Sequence, residues 1–83
     1  MVIKEKWGIS AKDVSAFFQE QKDVSVSEDA FYYQDCRITF TGVEELIFGK
    51  WKMPYTKIQF EGPEESVNTI YRRFFLRFLS AGG

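Results

Sequence analysis

The chain contains no histidine, a single cysteine and two prolines among 83 residues. Each scarcity removes a class of chemistry. Without histidine there is no ordinary general base or proton shuttle, and the commonest metal ligand is missing. With Cys36 alone, one chain can form neither an internal disulfide nor a zinc site of the Cys/His type. Ser–His and Cys–His nucleophilic pairs are excluded as well. No glycine-rich phosphate loop of the GxxxxGK or GxGxxG kind occurs. No stretch approaches the roughly 20 apolar residues of a membrane-spanning helix. The N-terminal MVIKEKWG has charges without an apolar run behind them, so no signal peptide is expected. One cysteine in so short a chain points to a reducing, cytoplasmic setting. The expectation is a protein that is not an enzyme, with no cofactor, no metal and no membrane contact.

What is abundant is aromatic. Nine Phe, four Tyr and two Trp make up 18% of the residues. Each buried ring removes on the order of 150–250 Å² from water, enough to give a chain of this length a core. With 45% hydrophobic and 28% charged residues the composition is globular, and residues 1–83 form one domain. Net charge is −1, unevenly spread. Residues 1–29 carry four lysines against six acids, whereas 50–83 carry six basic residues against three acids. The C-terminal part is the basic end.

Ile3–Trp7 alternates in a way that suits a short strand, ended by Gly8. Ser10 is placed to cap a helix, with Asp13 three residues on and an Ile9–Val14 staple across the first turn. That helix covers about Ala11–Gln21, with Ala11, Val14, Phe17 and Phe18 on one face. Lys22–Glu28 is an edge strand or a loop. Phe31–Tyr33 and Cys36–Thr41 are two strands about a tight turn at Gln34–Asp35. Cys36, Ile38 and Phe40 share one face, so an inert buried thiol is the default for Cys36. Thr41–Gly42 signals a turn. A third strand is predicted over Glu45–Lys52, with Gly49 as a bulge, then a break at Met53–Pro54. Tyr55–Glu61 is a fourth, with Ile58 and Phe60 inward.

The last quarter is the most structured segment. Pro63 suits the first helical position, and Glu64 and Glu65 sit where the helix dipole favours anions. Val67, Ile70, Tyr71, Phe74 and Phe78 form an apolar stripe, which Phe75 and Leu79 widen. Arg72, Arg73 and Arg77 lie opposite, and Gly82 is placed to end the helix. The predicted fold is therefore α+β. It is a two-layer sandwich in the order β-α-β-β-β-β-α, an antiparallel sheet of 4–5 strands with two helices on one face.

Glu44–Glu45 and Glu64–Glu65 are neighbours that do not share a face, so they serve as solvated charge or helix-terminus stabilisation rather than an acid/base dyad. The chain ends Ala81–Gly82–Gly83. In this it resembles ubiquitin-like proteins and small sulfur carriers, whose terminal Gly-Gly is adenylated at the carboxylate. In those families the pair leaves a strand on a flexible tail. Here it follows a predicted helix directly, and the preferred reading is a helix cap and a frayed end. Phe60–Val67 (FEGPEESV) resembles the strand-to-helix junction of ferredoxin-like domains such as the acylphosphatases. Their phosphate-cradling loop has no counterpart near this N-terminus, so the resemblance implies no activity.

Two surfaces remain for function. If the helices cover the Cys36–Ile38–Phe40 side, the other face of the sheet carries Arg37, Thr39, Thr41, Lys57 and Gln59. Lys50 and Lys52, or else Trp51, join them according to the phase of 45–52, and Tyr32 or Tyr33 points outward. The second surface is the polar side of the last helix, where Leu76 sits among Arg73 and Arg77. The preferred function is a small protein-interaction module that self-associates as a homodimer or joins a larger assembly. The alternative is a single-stranded nucleic-acid binder, with Arg37, Lys50, Lys52 and Lys57 on phosphates and Tyr32 or Trp51 stacking on bases. The sequence pI of about 5.4 favours the first.

Overall fold

A computed structural model describes residues 1–27, 30–47 and 51–81, with the side chains of 44–47, 51–53, 80 and 81 outside the description. The elements are β1 (Val2–Trp7), α1 (Ala11–Glu20), β2 (Val24–Val26), β3 (Phe31–Tyr33), β4 (Cys36–Ile47), β5 (Trp51–Glu61) and α2 (Glu64–Ala81). The five strands form one sheet in the order β1-β5-β4-β3-β2, with every pairing antiparallel. β1 and β2 are its two edges, so α1, which joins them, crosses the sheet. α1 and α2 lie side by side on one face, meeting through Phe17, whose ring is 5.8 Å from Phe74 and 5.6 Å from Phe78. This is the α+β sandwich that the periodicities predict, with its helices on one side.

The strand boundaries differ from the prediction in an instructive way. β4 does not turn at Thr41–Gly42 but runs on to Ile47, and β5 does not stop at Pro54 but starts at Trp51. The predicted strand over Glu45–Lys52 is thus the end of β4 and the start of β5, paired down to Ile47↔Trp51. The bulge assigned to Gly49 falls outside the described residues. Gly42 serves close approach rather than turning. A Cβ on it would lie 2.8 Å from Ala11 Cβ, where α1 starts against the sheet. Opposite Gly42, buried Thr56 donates its hydroxyl to Ile9 O at 2.6 Å and ties the same junction. Pro54 is tolerated because β1 reaches only Thr56, so one flank of β5 has already lost its ladder partner there. The segment left as edge strand or loop contains β2, which restores the predicted strand count.

The cap signal of α1 holds, whereas α2 begins at Glu64, so Pro63 precedes the first helical position and its carbonyl accepts from Val67 N at 2.9 Å. Ser10 is the N-cap of α1, and its hydroxyl accepts from Asp13 N at 3.2 Å. On α2, Val67, Ile70 and Phe74 are fully buried and Phe78 nearly so. Leu79, expected to widen that stripe, is instead 54% exposed. The core is a chain of rings: Phe74 lies 5.8 Å from both Phe18 and Phe60, stacked on the first and edge-on to the second. Two turns anchor the ends. Gln34 adopts φ 53°, the left-handed region, in the two-residue β3–β4 connection, and its side-chain oxygen accepts from Ser66 Oγ at 2.9 Å. Gly62, at φ 154°, passes so close to that connection that a Cβ would sit 2.7 Å from Asp35 O.

Candidate functional site

Alternation along each strand places its side chains on opposite sides of the sheet. On β1, Ile3, Glu5 and Trp7 turn toward the helices and Val2, Lys4 and Lys6 away from them. The register then lines up open-face residues from different strands. One row is Lys4–Gln59–Thr39, and the next is Lys6–Lys57–Thr41. These six, together with Glu5, Phe40 and Ile58, line a shallow groove of about 440 Å³ across β1, β5 and β4. Lys6 Nζ sits 4.3 Å from the centre of the Tyr55 ring, a cation–π contact at one end of the groove. Past its other end lies the row Glu61–Arg37–Tyr32.

The residues expected on this face divide into two groups. Arg37, Lys57 and Tyr32 are there, with Tyr32 directly opposite Arg37. Lys50 lies outside the described residues, as do the side chains of Trp51 and Lys52. Lys4 and Lys6 were not foreseen as members. Their alternation was visible, but that β1 pairs with β5 rather than with its sequence neighbours was not.

The second surface is partly consumed by the fold. Arg73 Nη1 bonds both carboxylate oxygens of Asp23, at 2.9 and 3.0 Å, and its guanidinium lies over the Tyr33 ring at 5.2 Å. The pair holds the Asp23 carboxyl below its usual range, chiefly through the hydrogen bond from Arg73. Arg77 reaches Glu20 at 3.3 Å. Both arginines therefore tie α2 to α1 and the start of β2. Leu76 and Leu79 stay exposed at 54% each.

Beneath the helices, Cys36 is completely buried and its thiol is pushed up by desolvation, which makes it a poor nucleophile. Glu5 is the acid on the covered side of β1. One of its oxygens accepts from Tyr71 OH at 2.7 Å and from Trp7 Nε1 at 2.9 Å. Burial, then the hydrogen bond to Glu5, push the Tyr71 hydroxyl up to about 12. This network is structural in geometry, since it stitches β1 to α2. Among the described residues no helix is long and apolar enough to cross a membrane.

Residues 3–83 match the family described as Archaeal MoaD-like protein. The chain belongs to this family. The match takes in both layers of the MoaD-like sandwich and runs through Gly82–Gly83. Comparison with curated proteins and with solved structures yields no match. In this MoaD-like chain α2 extends to Ala81, and the helix end assigned to Gly82, like the diglycine itself, lies outside the described residues.

Proposed function

We propose that this MoaD-like protein is a small sulfur-carrier-like domain, a non-enzymatic interaction module that offers Gly82–Gly83 to partner proteins. The observation that carries this reading is the family match over 3–83, which includes the diglycine. Composition supports it, since a chain without histidine and with its thiol buried is better suited to being acted upon than to acting. A carboxylate is a poor electrophile and needs activation before it can take sulfur. An ATP-dependent partner would join the Gly83 carboxylate to AMP with release of pyrophosphate. A hydrosulfide donor would then displace AMP and leave a thiocarboxylate. Two glycines suit a narrow partner site because neither side chain obstructs the backbone. Leu76 and Leu79, exposed on the last turns of α2, are an apolar contact for the same partner.

The test uses the chain with a free C-terminus at Gly83, MgATP, hydrosulfide and a carboxylate-adenylating enzyme captured from the native source. The expected result is one oxygen-for-sulfur exchange, placed by mass spectrometry on the C-terminal peptide. It persists in Cys36→Ala and is absent when Gly82 and Gly83 are deleted. Sulfur found on Cys36, or no exchange with an enzyme proven active on another carrier, rejects the reading. Self-association is tested separately by sedimentation, where a monomer at every concentration removes a second copy as the partner.

A further inference from the structure

The lysine groove is on the face of the sheet opposite α2, and the carrier reading makes no use of it. Its charge is one-sided. Lys4, Lys6 and Lys57 occupy two adjacent rows, with Thr39, Thr41 and Gln59 as their neutral neighbours. Among the described residues the open face carries an acid at Glu61, in the Arg37 row, and Gln59 donates to its carboxylate at 3.2 Å. Glu5, although next to Lys4 and Lys6 in sequence, points the other way and is held by Tyr71 and Trp7. Glu5 contributes to the groove lining, but its carboxylate is tied to Tyr71 and Trp7 on the covered side, so an anionic occupant would meet the three ammonium groups first.

Aromatic rings stand at both ends. Tyr55 lies one row beyond Lys57 along β5, and Tyr32 lies across from Arg37, in the Glu61 row. At about 3.3 Å per residue these rings are roughly 20 Å apart along the strand direction, with the lysines between them. Cations that track a backbone, flanked by rings that take bases, are what single-stranded nucleic acid requires. An acidic peptide would use the lysines but has no need of the tyrosines. Hydroxyls and an amide in the groove add neutral partners for phosphate or ribose oxygens.

We infer that the open face of the sheet binds single-stranded RNA, with Lys4, Lys6 and Lys57 holding phosphates and Tyr32 stacking on a base. The face has a local excess of positive charge although the chain as a whole is slightly acidic. Binding by three or four phosphate contacts is then weak and steeply dependent on salt.

The experiment is fluorescence anisotropy of the full chain with a labelled oligouridylate of about 12 nucleotides. At about 0.7 per phosphate, the slope of log K against log salt is about −2 to −3, so affinity falls about 16- to 64-fold between about 50 and 200 mM salt. Lys6→Gln with Lys57→Gln lowers affinity and flattens the slope by about 1.4. Lys4→Gln with Lys57→Gln is a second pair that does so without touching the Tyr55 contact. Tyr32→Leu weakens oligouridylate about tenfold and leaves an abasic oligomer unaffected. Unchanged urea midpoints show that the variants stay folded. No binding at about 50 mM salt overturns the inference. So does an abasic oligomer or polyglutamate that binds as tightly as oligouridylate, since the face would then be a docking site for acidic chains.

Discussion

The two sides of β5 are made from one stretch of chain and behave as different materials. Thr56, Ile58 and Phe60 are at most 2% exposed, and each is locked by neighbours from other elements. Tyr55, Lys57, Gln59 and Glu61, one position out of phase, face outward and are constrained mainly by register. The covered side tolerates little change because every ring there is the wall of another ring's site. The open side can change its chemistry with little effect on the fold, so it is where binding can be built.

The largest contrast is expected between Phe74 and Lys57. Phe74 touches the rings of Trp7, Phe17, Phe18, Phe60 and Phe78, so Phe74→Ala should cost about 3–5 kcal/mol in urea unfolding. Lys57→Gln should stay within about 0.5 kcal/mol. Comparable losses at the two positions would mean that the open face is also structural. A smaller contrast separates two glycines that follow strands. Gly62→Ala forces a Cβ to 2.7 Å from Asp35 O at an unfavourable φ and should cost about 1–3 kcal/mol. Gly8→Ala meets nothing within 4 Å and should be nearly neutral. Equal midpoints for the two variants would contradict the close contact between Gly62 and the β3–β4 connection.

The smallest effect concerns pH. Tyr71 binds its proton more tightly when folded, because its hydroxyl rises from the ordinary 10.0 to about 12. The unfolded chain therefore loses that proton first as pH rises. The associated stability is intact below pH 10 and is lost progressively between there and about 12. Tyr71→Phe should flatten this alkaline decline, read as urea midpoints against pH. A decline of unchanged steepness in the variant would assign it to other groups.

Much of the covered side was legible in the residues. Val67, Ile70, Phe74 and Phe78 repeat at helical spacing, and Cys36, Ile38, Ile58 and Phe60 alternate, so each announces its own buried face. Ser10 announced its cap. Gly42 and Pro54 misled because both are ordinary punctuation in a sequence. Gly42 is needed for the close approach of Ala11, and Pro54 is harmless on a flank that β1 has vacated. Of the open face, Arg37 and Lys57 could be placed from alternation within β4 and β5, whereas the choice between Tyr32 and Tyr33 was decided only by the pairing of Tyr32 with Arg37. Lys4 and Lys6 could not, since they join Lys57 through a pairing some fifty positions away along the chain. Glu5 was similarly hidden, as nothing local says that an acid between two lysines meets Tyr71.

Local periodicity, then, was enough to specify two helices, an alternating sheet and the side of each that is dry, because burial selects side chains at the repeat of the element that carries them. Which strands neighbour one another, and hence which cations share a groove and where a glycine must yield to a helix, came from the assembled sandwich. Those contacts depend on how distant segments meet, and no repeat along the chain records that.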